Sequence, residues 1–207
     1  MTTAVIVQAR CGSKRFPNKV LADLGGLPVL WHVLSRCLKI EGADMVILAV
    51  PDEAQSKAME AIAWPMGVKT YRGSESDVLA RYVGAARHFD ADIIVRVTAD
   101  CPLIQPSLCA EVLNLVVNHG VDYAANCYPT RTFAKGLDCE AFTRAALERT
   151  AHCAMDSYDR EHCTPFMQRR PSFTKGSIVS AEPETAKLNF CIDWPHDIAR
   201  IEAMLCV

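Results

Sequence analysis

The sequence predicts an α/β protein built on a doubly wound, mostly parallel sheet, and three observations predict it. Short apolar runs at residues 4–7 and 45–50, and a third at 93–97 interrupted only by Arg96, read as strands buried on both faces. Stretches with apolar residues every third or fourth position separate them, as helices between parallel strands require. Each run ends in a loop carrying Gly, Pro or Asp, where such sheets turn into their helices.

The first strand, 4–7, runs into QARCGSKRFPNK at 8–19, where Arg10, Lys14, Arg15 and Lys19 crowd together. Gly12 there lets backbone approach a ligand with no Cβ in the way, and Pro17 stiffens the exit. At the carboxyl end of a strand such a loop can aim N–H donors and guanidinium forks at one polyphosphate. It matches neither GxxxxGK[ST] nor GxGxxG, and a solvated basic turn is the plain alternative. A helix over 29–38 follows, with Leu30, Val33, Leu34 and Leu38 on one face. The run MVILAV (45–50) is the second strand, and Pro51-Asp52 turns it into a helix over 53–63.

A short strand is expected at 68–71. The helix after it, 76–88, is capped by Ser76 or Ser74 and buries Leu79, Tyr82, Val83 and Ala86. The strand 93–97 leads through Thr98 and Asp100 to a Pro102 turn and a helix over 107–117. A short strand at 122–125 comes next. From 126 the character changes: 127–138 is polar and turn-rich, 139–153 reads as helix, and 157–170 is heavily charged. Residues 126–170 therefore read as a small α/β arm projecting from the sheet. Its Leu137, Phe142, Leu147 and Phe166 would need cover from the core or from a second subunit, which suggests a homodimer. Strands at 173–179 and 188–192 and a helix over 196–205 return to the core. No repeat or low-complexity segment interrupts this single domain.

At 207 residues, 50% hydrophobic and 22% charged, the chain can bury one full core and is not of disordered type. A net charge of −2 argues against a general nucleic-acid binder, so the cations of one loop point to a local anionic ligand. No basic apolar leader or membrane-length apolar run occurs, and the expected location is the cytoplasm. The ten cysteines, from Cys11 to Cys206, show no CxxC or paired zinc spacing and are expected to be reduced thiols. The pairs His152–Cys153 and His162–Cys163 lack that spacing too.

Ligands of open α/β sheets sit at the carboxyl ends of the strands. Besides the Gly12 loop, two such ends carry carboxylates: Asp100 after 93–97, and Asp193 after 188–192. Two carboxylates facing a cationic loop suit Mg²⁺ held against phosphates, since Mg²⁺ takes one or two carboxylates plus substrate oxygens and water. Each Asp taken singly also has the ordinary reading of turn or cap chemistry.

The string VIVQARCGSKRFPNKVLADLGGLPVL resembles the amino terminus of the cytidylyltransferases that activate acidic sugars. It is most similar to their spore-coat-polysaccharide-type branch, kin to acylneuraminate and 3-deoxy-manno-octulosonate cytidylyltransferases. The likeness continues in order through SDVLARY (76–82), VRVTADCPLI (95–104), GLDCEAF (136–142), YDREHCTPF (158–166) and FCIDWPHDIARIEAML (190–205). It implies the nucleotide-diphospho-sugar transferase fold and transfer of CMP from CTP to a small acidic sugar-like acceptor, with loss of pyrophosphate. It also implies that Arg10, Arg15 and Lys19 hold the triphosphate, and that the backbone of Ala9, Arg10, Cys11, Gly12 and Ser13 meets the nucleotide. Asp77, Arg81 and Thr98 would border the base, and Asp100 and Asp193 would bind Mg²⁺. A nucleotidyltransferase using another nucleotide or a phosphorylated acceptor, and a nucleotide-binding module without turnover, remain as alternatives.

Local readings stand beside these. Asp77 can simply cap its helix, and Arg81, one turn on, can pair with it. Tyr158, Asp159, Arg160 and Glu161 can form a dimer contact or border the acceptor pocket. Lys14 stands where the resembled family usually has a small hydroxyl residue, Asn18 and Ala99 where it usually has Gly. Asn18 can still adopt a left-handed turn. Cys11 lies among cations that would lower its thiol pKa and make it sensitive to oxidants, with CTP as a shield.

Overall fold

The computed structural model describes residues 1–205; Cys206 lies outside the described residues. In chain order the strands are β1 (Thr3–Gln8), β2 (Asp23–Leu24), β3 (Leu27–Pro28), β4 (Met45–Pro51), β5 (Lys69–Gly73) and β6 (Ile93–Thr98), then β7 (Tyr123–Ala125), β8 (Glu140–Thr143) and β9 (Lys175–Ser177). The helices are α1 (Val29–Cys37), α2 (Ser56–Ala63), α3 (Val78–His88) and α4 (Pro106–His119), then α5 (Arg144–Cys153), α6 (Ser157–His162), α7 (Pro165–Arg169) and α8 (Asp197–Leu205).

The main sheet runs β5-β4-β1-β6-β8-β7-β9. Every neighbouring pair is parallel except those made by β8, which is antiparallel to both β6 and β7. The apolar runs form buried strands because each has two faces to cover. Val5, Val7, Leu48 and Val95 meet a core that includes Leu30 and Leu34 of α1, Met59 of α2 and Val112 of α4. Ala4, Ile6, Ile47 and Ile94 meet the other, with Leu79 and Tyr82 of α3, Leu147 of α5 and Phe166 of α7. At about 25 cal/mol per Å² of apolar surface, these two layers are the main stabilising term. A third, smaller cluster joins Leu24, Val29, Ile192 and Ile201, with Phe16 packed against it. It ties α8 and the start of the 193 turn to the segment that follows the basic loop.

The structure differs from the sequence expectation at three places. Residues 126–170 do not project as an arm. Glu140–Thr143, expected inside a helix, is a strand laid between β6 and β7, and Leu137, Phe142, Leu147 and Phe166 are covered within the chain itself. Its EAFT sequence is short and apolar at two positions, and pairing with β6 and β7 overrides local helix preference. Residues 188–192 form no strand of the sheet; they are tied by an isolated parallel bridge, Lys135 to Asn189, and by the Ile192 N–H donating to the Asp100 carbonyl at 2.9 Å. Of the cap residues the sequence offers for α3, Asp77 is the one used: its carboxylate accepts from the Ala80 N–H at 2.9 Å, while Ser74 Oγ accepts from the Asp77 N–H.

Candidate active site

An open cleft of about 790 Å³ lies over the carboxyl ends of β1 and β6 and the start of α3. Ala9, Arg10, Gly12, Ser13, Arg15 and Lys19 reach it from the loop after β1. Thr98 and Asp100 come from the end of β6, Arg81 from α3, and Asp193 from the turn before α8. Local chemistry shapes the loop. The Cys11 carbonyl accepts from the N–H groups of Ser13 and Asn18, so the chain folds back on itself. Asn18 takes the left-handed conformation, φ 57°, and starts the 3₁₀ turn Lys19–Leu21. A Cβ on Gly12 would stand 3.1 Å from a Glu75 carboxylate oxygen, so a bare Cα is what lets these two walls approach.

Lys19 is the centre of the charge arrangement. Its ammonium donates to Asp100 Oδ2 at 2.6 Å, to the Ile192 carbonyl at 2.8 Å and to Asp193 Oδ1 at 3.3 Å. Arg15 adds a 2.5 Å contact to the same Asp193 Oδ1, and its guanidinium lies 5.9 Å from the Trp194 ring centre. Lys135 Nζ takes the other oxygen, Oδ2, at 2.9 Å. The turn itself is held by Asp197, whose Oδ2 accepts from the N–H groups of Asp193 and Trp194.

These neighbours decide the protonation of the two acids. Burial pushes the Asp100 carboxyl up, but the charge and hydrogen bond of Lys19 outweigh it and hold it below the usual carboxylate range. Burial likewise raises Asp193, and Lys135 and Lys19 together bring it below that range. Asp197 is held down to about 2: burial again works upward and is outweighed by Arg200 and the two backbone donors. All three are anions at neutral pH.

The remaining expected residues are placed as follows. Cys11 lies outside the cleft lining and is buried, its sulfur 4.0 Å from the Gln55 carbonyl. Burial, then the nearby Glu53, raises its thiol pKa, so the expectation of a depressed, oxidant-sensitive thiol is overturned: the loop turns its cations outward and its sulfur inward. Asp77 also lies outside the lining. It pairs with Arg160 (Nη2 to Oδ2, 2.5 Å) instead of Arg81. Arg81 is buried, donates to the Ser74 carbonyl, and leaves its Nε without a partner among the described residues. Asp159 is buried against Arg169, and Arg160 is turned to Asp77.

Sequence reasoning missed several lining residues. Gln8 ends β1 with a buried Oε1 that has no partner among the described residues. Glu75 and His162 also line the cleft, as does Glu161, expected at a dimer contact or the acceptor pocket, which lies 3.8 Å from Arg10. The signal for His162 was its place in the charged YDREHC string. For Lys135 there was none, because its partner lies 58 positions away.

The donor set fits a small divalent cation. Two carboxylates from distant segments converge on a single positive point, and both are ionised. Among the described residues no third His, Cys, Asp or Glu joins them, so the remaining ligands would come from substrate oxygens and water, which is how Mg²⁺ is commonly held.

Comparison with known proteins follows this geometry. A family model described as "Cytidylyltransferase" matches residues 4–205. The chain is 29% identical to a 3-deoxy-manno-octulosonate cytidylyltransferase of Anaeromyxobacter sp. (strain Fw109-5), over 98% of this chain and 96% of that one. It is 28% identical to the spore coat polysaccharide biosynthesis protein SpsF of Bacillus subtilis, over 96% and 84% respectively. The solved structure of a cytidylyltransferase from Leptospira borgpetersenii superposes with a TM-score of 0.94 at 31% identity, covering 100% of this chain and 87% of that one.

Proposed function

The chain belongs to the cytidylyltransferase family, and on that premise we propose that it transfers CMP from CTP to a hydroxyl of an acidic sugar or related acid, with Mg²⁺ as cofactor, for surface glycan synthesis. The observation that carries this reading is the convergence of Asp100 and Asp193 on Lys19 at the floor of a cleft walled by Arg10, Lys14 and Arg15. The relatives named for 3-deoxy-manno-octulosonate transfer and for spore coat polysaccharide supply the acceptor class.

In this reaction the acceptor oxygen bonds to the α-phosphorus, the bond from that phosphorus to the bridging oxygen breaks, and pyrophosphate leaves. The acceptor proton passes to water. The protein's part is placement and charge, as in other phosphoryl transfers. Arg10, Arg15 and Lys19 bind the β- and γ-phosphates and take up the charge that builds on the leaving pyrophosphate. Backbone N–H groups of the loop around Gly12 and Ser13 orient the nucleotide. Gln8 and Arg81, each with a buried polar atom lacking a partner, offer one acceptor and one donor to a small polar base, and Thr98 lies under it. Asp100 and Asp193 would hold Mg²⁺, which would supply positive charge to the phosphate oxygens. The protein acts as a homodimer in this reading, supported by the exposed Met155 just before the cleft-bordering helix α6 and the exposed Tyr158 within it.

A thermal-shift series with CTP, UTP, GTP and ATP, each with Mg²⁺, tests the nucleotide, because a ligand of the native state raises its melting temperature. CTP is expected to stabilise most. A larger shift with another nucleotide would overturn the cytidylyl reading. Pyrophosphate release with CTP and 3-deoxy-manno-octulosonate or a sialic acid separates a working enzyme from a binding module. Light scattering at micromolar concentration reads the dimer.

A further inference from the structure

Asp193 uses its two oxygens differently. Oδ1 faces the cleft, where Arg15 and Lys19, both lining residues, share it. Oδ2 is given to Lys135, which is not among the residues that line the cleft. The carboxylate plane is therefore set from outside the cleft by one ammonium.

Lys135 is itself held firmly. Its N–H donates to the Leu188 carbonyl at 3.0 Å, and its carbonyl accepts from the Phe190 N–H at 2.6 Å. Ala134 and Leu137 on either side are buried. Gly136 has φ +97°, and a Cβ there would stand 2.7 Å from the Phe190 carbonyl carbon and 2.8 Å from the Cys191 nitrogen. The segment carrying Lys135 is thus pressed backbone to backbone against the segment that delivers Asp193.

The geometry points to Lys135 as a positioning residue that orients Asp193 for its divalent cation while Arg15 and Lys19 are drawn onto the phosphates. This rests on the proposed function. Once a polyphosphate engages Arg15 and Lys19, Lys135 is the one remaining cation on Asp193 among the described residues, and Oδ1 is left aimed into the cleft. Outer partners of metal-binding carboxylates fix ligand direction in this way, and losing one commonly costs about ten- to a hundredfold in metal affinity.

The test is calorimetry of CTP binding to the full chain at a series of Mn²⁺ concentrations, for wild type, Lys135→Met and Lys135→Arg. The Met variant is expected to need about tenfold more Mn²⁺ to reach half of its metal-enhanced CTP affinity. Its metal-free CTP affinity should stay within about threefold of wild type, because Lys135 does not line the cleft. Lys135→Arg should recover most of the metal dependence. An unchanged Mn²⁺ requirement in a folded Lys135→Met protein would overturn the assignment, as would an equal loss in both variants. If Lys135→Met lowers the melting temperature sharply, Lys135→Gln carries the same comparison. Should wild type show metal-enhanced binding of a different nucleotide, the cytidylyl reading fails while Lys135 is measured with that nucleotide.

Discussion

The Lys19 ammonium lies 2.6 Å from the Asp100 carboxylate, joining positions 81 apart in the chain, and the same nitrogen reaches Asp193. One cation from the basic loop therefore brings the two acids together before any substrate is considered. Its side chain is only 11% exposed, so water screens this contact poorly.

Removing that cation leaves the half-buried Asp100 and the buried Asp193 without their shared partner. Lys19→Met is expected to cost about 3 kcal/mol of stability at pH 7, read by urea unfolding. A loss below about 0.5 kcal/mol would place the ion pair among exposed bridges of little consequence.

The pH dependence follows from the depressed pKa values of Asp100 and Asp193. Both are lower folded than unfolded, so their contribution is fully present above the unfolded value near pH 3.9 and is lost as pH falls through the folded values. In Lys19→Met the burial of these acids acts without that counterion. The sign then reverses at Asp100: unfolding free energy should rise as pH is lowered from 7 towards 4. Parallel pH profiles for the two proteins would refute this.

Asp193→Asn keeps the shape of the side chain and removes its charge. Metal-dependent pyrophosphate release should fall by about a hundredfold or more, while circular dichroism still shows a folded protein and the melting temperature drops with the loss of the ion pairs to Arg15, Lys19 and Lys135. Undiminished turnover would remove Asp193 from the metal site.

Gly136→Ala places a methyl group within 2.7 Å of backbone at a positive φ. Neither neighbour is a flexible side-chain end, so the segment must shift, at a cost of about 2 kcal/mol or more. The Mn²⁺ requirement for CTP binding should rise along with it, because Lys135 moves with Gly136. Stability loss without any change in metal requirement would separate the two residues.

Alkylation at pH 7.5 should modify Cys153, the exposed cysteine among the described residues, well before Cys11. Peptide mass spectrometry over a time course reads the order. Early labelling of Cys11 would show that its thiol is neither buried nor raised in pKa.

Much of this was legible in the sequence because it is local. The apolar runs that became β1, β4 and β6 need only their own composition to show burial on two faces, and the basic loop announces its charge within ten residues. The positions of Asp100 and Asp193 could be inferred from strand ends, even though residues 188–192 proved to be a bridge-tethered segment and not a strand of the sheet.

What the sequence determined by itself was the layered α/β plan, the cationic loop and the pair of acids, since periodicity and composition act over a few neighbouring residues. Only the tertiary structure decided that β8 enters the sheet, that Cys11 turns inward, that Asp77 goes to Arg160, and that Lys135 holds the far oxygen of Asp193. Those outcomes depend on partners tens of residues away, whose approach is set by packing and by the desolvation of charge, and neither leaves a mark in local spacing.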